Sequence, residues 1–120
     1  MTVQEILQEL AIAWTDRDPE AVAGLFAEDA VYAASVGPDP GRRAQGRAAI
    51  RRLVGAMFAL DEGAVAETST PVVFGDCAFW TWKYTLPDGS VELGCDFLRV
   101  HDGRIVLKDA YRKIQRDEEN

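Results

Sequence analysis

The residue best suited to chemistry in this chain of 120 residues is an aspartate on a strand. Asp96 stands in Gly94-Cys95-Asp96-Phe97-Leu98-Arg99-Val100-His101-Asp102-Gly103-Arg104-Ile105, where two runs rich in β-branched and aromatic residues flank an Asp-Gly turn. That is the pattern of a long β-hairpin. Side chains alternate faces along a strand, so Asp96 shares a face with Leu98 and Val100 while Phe97 and Arg99 point the other way. A carboxylate on an apolar face is costly unless it is protonated, paired or hydrogen-bonded, which makes Asp96 the first candidate for acid-base work. The competing reading is a structural carboxylate held by Lys or Arg, or one turned to solvent at a bulge.

What Asp96 meets depends on the turn. A two-residue turn at Asp102-Gly103 pairs His101 with Arg104 and sets Asp96 opposite Asp109, giving a carboxylate dyad that shares a proton. A three-residue turn pairs Val100 with Arg104 and sets Asp96 opposite Lys108, with Arg112 facing the same pocket and Ala110 against Gly94. The second is the expected register, because Gly103 suits the left-handed position of a three-residue loop and like charges directly opposite repel. Asp96 and Lys108 are then the catalytic candidates. On the other side, symmetrical closure of Pro87-Asp88-Gly89 puts Trp82 opposite Gly94, Trp80 opposite Asp96 and Tyr84 opposite Glu92. Trp80 shields Asp96 from water, which disfavours its ionised form. Tyr32, Trp80, Trp82, Tyr84 and Arg112 are accordingly candidates for substrate contact, with core filling as the plainer reading of the aromatics. Trp14 reads as core.

Composition narrows the function classes. A formal charge of -7 and an isoelectric point near 4.6 argue against nucleic acid and anionic membranes as partners. No apolar run approaches the roughly 20 residues of a membrane span, and the start lacks a signal-peptide layout, so a cytoplasmic location is expected. Cys77 and Cys95 lack metal-site spacing and are expected as free thiols, and the lone histidine, His101, falls in a turn. No cofactor is implied, because there is neither a Gly-rich phosphate loop nor a metal cluster. Arg42, Arg43, Arg47, Arg51 and Arg52 read as a solvated face, with guidance of an anionic substrate as the sharper alternative.

The positioning elements follow from periodicity. Thr2 and Glu5 form a capping-box pattern for a first helix carrying Val3, Ile6, Leu7, Leu10 and Trp14 on one face and stopping at Arg17. Asp18-Pro19 starts a second, through Ala21, Val22, Leu25 and Phe26. A brief strand over Ala30 to Ala34 precedes a loop holding Gly37, Pro38, Asp39, Pro40 and Gly41. A third helix from Gly46 to Gly63 turns Ile50, Leu53, Val54, Met57 and Leu60 inward, with Arg47, Arg51 and Arg52 in solvent. Strands are expected over Val65 to Thr70, Val72 to Phe74, Cys77 to Leu86, Val91 to Val100 and Arg104 to Ile114. Three helices before a curved antiparallel sheet make an α+β class, expected as one domain over 1–114 with a charged tail over 115–120.

Several segments together resemble a known family: Asp18-Pro19-Glu20-Ala21-Val22, Phe26-Ala27-Glu28-Asp29-Ala30-Val31-Tyr32, Gly46-Arg47-Ala48-Ala49-Ile50, and Asp96-Phe97-Leu98-Arg99-Val100 before Asp102-Gly103-Arg104-Ile105. The chain resembles the SnoaL-like and ketosteroid-isomerase-like branch of the nuclear transport factor 2-like superfamily. The resemblance implies a cone-shaped α+β barrel around an apolar pocket for a small-molecule ligand. It implies that Asp96 matches the isomerase aspartate that hydrogen-bonds the substrate oxyanion. The isomerase's general base falls near Ala34, however, and its tyrosine near Leu10. Limonene epoxide hydrolases resemble the chain at Asp96, but Gly94 stands where they have arginine and Ala110 where they have a second aspartate. Both sets are incomplete. The resulting reading is a small-molecule enzyme that cyclises, isomerises or dehydrates an apolar carbonyl compound by acid-base chemistry. The alternative is a non-catalytic ligand-binding or dimerisation module. The resemblance also implies a homodimer through the convex sheet face, with Thr81, Cys95, Phe97 and Tyr111 outward.

Overall fold

The computed structural model describes residues 1–38 and 40–114; Asp39 and the expected tail from Gln115 to Asn120 lie outside the described residues. Helix α1 (Val3–Thr15) opens on the expected capping box. The Thr2 amide donates to Glu5 Oε1 at 2.9 Å and the Glu5 amide donates to Thr2 Oγ1 at 3.1 Å, so two donors without helical partners are satisfied. The helix ends two residues before Arg17, which takes a left-handed φ of 52° and turns the chain into α2 (Pro19–Gly24). There Asp18 caps the new helix by accepting from the Ala21 amide at 3.2 Å.

Helix α3 (Arg47–Leu60) turns Ile50, Leu53, Val54 and Phe58 into the core. Leu60, expected inside, is exposed. The stripe runs from Val54 to Phe58, four residues on, and Leu60 falls on the far side of the same turn. The Phe58 ring lies under the Arg17 guanidinium, 4.8 Å from its centroid, while Arg17 also donates to the Phe58 carbonyl and to Asp61. Arg47 is not simply solvated either. Its guanidinium donates to the Phe26 carbonyl at 2.8 and 3.1 Å, tying the start of α3 to the first strand.

The strands are β1 (Phe26–Ala33), β2 (Arg43–Gln45), β3 (Val65–Thr68), β4 (Val72–Phe74), β5 (Cys77–Thr85), β6 (Val91–His101) and β7 (Arg104–Arg112). They form one curved sheet in the order β2-β1-β7-β6-β5-β3, with β4 also paired to β5, and β2 and β3 leave it unclosed. All pairings are antiparallel except β1 with β7. That parallel pairing places Tyr32 beside Lys108. The helices close over the concave face, where Ile6, Val22, Phe26, Ile50, Val54, Leu98 and Ile105 are fully buried. β2 lies within the stretch between the loop glycines and α3 that carried no strand pattern, and β1 begins four residues before the expected Ala30.

The β6–β7 hairpin departs from both expected registers. Its turn is the two-residue one: His101 pairs with Arg104 and Val100 with Ile105, with Asp102 at φ 49° and Gly103 at φ 71°. The ladder then slips, so that Arg99 pairs with Leu107, Leu98 with Lys108, Asp96 with Ala110 and Gly94 with Arg112. Val106 is the extra residue of a β-bulge. One residue of slip exchanges the two faces of a strand. Without it Asp109 would stand opposite Asp96; with it Asp109 faces outward and Lys108 turns inward, diagonal to Asp96 rather than opposite.

Asp18 makes the most separable local contribution to this frame. Asp18→Ala should lower stability by about 0.5–2 kcal/mol through the lost cap, read as a shift of the urea midpoint at unchanged slope.

Candidate functional site

Successive rows of the concave face place the site. Trp80, Asp96 and Ala110 form one row, and Ala78, Leu98, Lys108 and Tyr32 form the next. The β5–β6 register is the expected one throughout, with Trp80 opposite Asp96, Trp82 opposite Gly94 and Tyr84 opposite Glu92. Asp96 is 7% exposed and Lys108 3%. Diagonal neighbours on a sheet lie within reach of long side chains, and here the Lys108 ammonium reaches Asp96 Oδ2 at 3.3 Å. It also donates to the Tyr32 hydroxyl at 3.0 Å.

Three aromatic rings surround that ammonium. Its nitrogen lies 4.4 Å from the Tyr32 centroid, 4.8 Å from Trp14 and 5.9 Å from Trp80, so ring quadrupoles add to the carboxylate in stabilising the charge. Trp14 therefore belongs to the site as well as to the core, and the sequence reading missed this. Helical spacing put it on the buried face of α1, but which strand that face meets is set by how the helix packs across the sheet, and spacing along one helix does not give that. Trp14 also donates its indole N–H to the Tyr84 hydroxyl at 3.0 Å and meets Phe58 edge-on.

Electrostatics follow from burial. Desolvation presses Lys108 toward its neutral form, but the Asp96 carboxylate and the Tyr32 oxygen outweigh it and hold the ammonium above the usual lysine range. Burial also raises the Tyr32 phenol, as does nearby Asp96, against the opposing pull of Lys108. Desolvation likewise raises Tyr84. The cluster is thus a lysine ammonium, a neutral phenol and a carboxylate. Among the described residues Asp96 Oδ1 has no hydrogen-bond partner although it is buried. Such an atom is costly to leave unpaired and marks a place where a donor can bind.

The remaining candidates lie on the same face toward its more exposed end. Trp82 is half-buried and packs 5.3 Å from Tyr84. A Cβ on Gly94 would collide with the Trp82 indole and with the Tyr111 carbonyl, so this glycine is what lets the ring lie flat. Arg112 is half-buried and pairs with Glu92 at 3.3 Å. Two surface depressions are present, one remote from these residues and one that reaches them from the outer face. One of about 560 Å³ is lined by residues including Glu20, Arg47 and Arg51, and one of about 690 Å³ by Phe79, Thr81, Leu93 and Tyr111 together with Trp82, Gly94 and Arg112. Cys77 and Cys95 are free thiols. Among the described residues no helix is long and apolar enough to cross a membrane.

Removing one partner of a buried ion pair strands the other. Lys108→Met should cost about 3–5 kcal/mol, whereas the double variant Asp96→Leu/Lys108→Met should recover most of that loss, as measured by urea unfolding. The pH dependence follows from the raised lysine. A group whose pKa is raised on folding stabilises fully below its unfolded value, near 10.4, and loses that contribution as pH rises through the folded one. Wild-type stability should therefore carry an alkaline decline, beginning above about pH 10, that the double variant lacks in part.

Similarities to known proteins bear on the family and the fold. A SnoaL-like domain family model matches residues 7–108. An NTF2-like protein of unknown function from Mesorhizobium loti is 34% identical, over 92% of this chain and 89% of that one, with a TM-score of 0.79. A proposed polyketide cyclase from Sinorhizobium meliloti is 30% identical over 88% and 93%, with a TM-score of 0.74. A hypothetical protein with a ketosteroid isomerase-like fold from Catenulispora acidiphila, solved in complex with trimethylamine, is 25% identical over 92% and 86%, also at 0.74. None of the curated proteins matches the sequence. With its helices closed over an unclosed curved sheet and a family match over most of its length, the chain belongs to the SnoaL-like domain family, within the NTF2-like fold.

Proposed function

We propose that the protein is an acid-base enzyme acting on a small carbonyl compound, with Asp96 as the base and Lys108 and Tyr32 as the groups that stabilise oxyanion character. One observation carries the reading: Asp96 holds Lys108 with one oxygen while the other, buried, is unpaired. In the reaction, Asp96 Oδ1 takes a proton from the carbon next to the carbonyl. The C–H electron pair forms a C=C bond and the carbonyl π pair moves to oxygen. The negative charge forms beside the Lys108 ammonium and the Tyr32 O–H, donors already in place in a site with little water. Asp96 then returns the proton at another carbon for isomerisation, or to a departing hydroxyl for dehydration. Trp80, Trp82 and Tyr84 supply apolar contact for the substrate's body.

The proposed cyclase among the similar structures supports the substrate class, since cyclisation of a polyketide also proceeds through a carbon acid. Lys108 serves as a charge and not as a nucleophile. A lysine held above its usual pKa has no free amine to form a Schiff base.

A second reading has its own observation. The outer sheet face exposes Phe74, Phe79, Leu93 and Tyr111, and the Asp96–Lys108 pair is nearly closed to solvent. We infer a homodimer through that face. In its stronger form this reading makes the protein a non-catalytic module with a structural ion pair. Light scattering at micromolar concentration should give twice 13.2 kDa; the monomer mass would remove the dimer. Exchange of α-hydrogens in deuterated water separates the enzyme from the module. A panel of cyclic and open-chain ketones should include one whose exchange the protein accelerates, and Asp96→Asn should lower that rate by about 10²–10⁴-fold. Equal rates with and without protein across the panel would leave the module.

A further inference from the structure

The concave face continues past Asp96 through a row of Trp82, Gly94 and Arg112, followed by Tyr84 and Glu92. Between Arg112 and the buried pair, β6 and β7 offer only Gly94 and Ala110, so the sheet floor there has almost no side chains. The Trp82 indole lies across Gly94 and occupies the strip. Exposure rises along it: Asp96 and Trp80 are buried, Trp82 is half-buried, and the side chains of Arg112 and Glu92 are 29% and 32% exposed. At the outer end Arg112 Nη1 meets Glu92 Oε2 in a single contact of 3.3 Å. Among the described residues the rest of the guanidinium fork makes no hydrogen bond to another side chain or backbone carbonyl. A half-exposed pair held at one point is weak, and a guanidinium prefers two parallel bonds to one carboxylate. At the inner end, Asp96 Oδ1 is buried and unpartnered.

We propose that Arg112 anchors a carboxylate on the substrate, so that the substrate is an oxo acid. The substrate's carboxylate displaces Glu92 from Arg112, Trp82 moves off Gly94, and the chain lies along Gly94 and Ala110 with its carbonyl end at Asp96 and Lys108. The inference rests on the acid-base reading above and adds the substrate class. Spacing sets its length. Asp96 and Arg112 stand one row apart, a repeat of two residues or about 7 Å along the strand, which suits an acid whose carbonyl lies several carbons from the carboxylate. Glu92 acts as a placeholder: it keeps Arg112 aligned when the site is empty and yields to a ligand that offers both oxygens.

The test compares levulinate and its next two higher homologues with their methyl esters, by NMR titration of the full chain and by deuterium uptake at the α-carbons. In the wild type the best acid should bind at least about tenfold tighter than its ester, the value of one charge-assisted contact. Arg112→Gln should bring the acid-to-ester ratio close to one, and Glu92→Gln should move the other way and tighten acid binding several-fold. Both positions are half-exposed, and the opposite signs separate anchoring from general damage to the fold. Acids and esters that bind alike, no acid that shifts a wild-type resonance, or an acid preference that survives Arg112→Gln would each overturn the anchor. Acids that bind through Arg112 without Asp96-dependent deuterium uptake would overturn the acid-base reading and leave the anchor. Asp96-dependent uptake with no acid preference would do the reverse.

Discussion

A lysine ammonium and an aspartate carboxylate buried side by side set the terms for the rest of this protein. Each ion has lost its water, and their attraction offsets that loss only when the surroundings supply further contacts. The fold supplies them from distant parts of the chain. Tyr32 comes from β1, Trp80 from β5 and Trp14 from α1, and each places a ring or a hydroxyl within 6 Å of one nitrogen. The compensation is one-sided. Lys108 is surrounded, whereas Asp96 keeps one oxygen without a donor. A structural ion pair selected for stability alone would gain from satisfying that oxygen, so the asymmetry is what favours a site over a strut.

The pair exists because of one extra residue. The Asp102-Gly103 turn by itself pairs β6 and β7 so that Asp109 stands beside Asp96, two like charges in an apolar place. The bulge at Val106 shifts every residue beyond it by one, sends Asp109 to the outer face near Tyr111, and brings Lys108 in. The burial pattern along β7 records the change of phase: Ile105 is buried before the bulge and Lys108 after it, three residues apart rather than two or four. Parallel pairing with β1 then brings Tyr32 level with Lys108. A bulge next to a site re-aims side chains that a regular ladder would waste on the wrong face.

Much of this was legible in the residues themselves, and the misses have physical causes. Caps are local, so Thr2-Glu5 and Asp18-Pro19 marked the helix starts correctly. The tight turn at Pro87-Asp88-Gly89 fixed the β5–β6 register, and with it the position of Trp80 over Asp96. Lys108 was placed beside Asp96 through a register that the hairpin does not adopt: a three-residue loop would have achieved by the turn what the protein achieves by a two-residue turn and a bulge. The sequence held a signal for the latter, because Ile105-Val106-Leu107 is three apolar residues in a row where a regular half-buried strand alternates. Non-local features left no such trace. Neither the short β2 nor the parallel approach of β1 to β7 follows from local pattern. Leu60 is a different case, since the spacing itself puts Phe58, four residues after Val54, on the buried stripe and Leu60 off it.

The charge state of the cluster constrains the chemistry more tightly than the fold does. NTF2-like cones hold many activities, so the architecture alone argues for none. A lysine stabilised as an ammonium can donate hydrogen bonds and attract developing negative charge but cannot attack a carbonyl. A buried tyrosine raised above its usual range remains a donor at neutral pH and cannot act as a base. The atom of the cluster left open as an acceptor is Asp96 Oδ1, the carboxylate oxygen that Lys108 does not hold. Removing a proton beside a carbonyl needs one acceptor and at least one fixed donor for the oxygen, and the cluster provides one acceptor and two donors. Proton transfer requires no group beyond those the described residues bring together here.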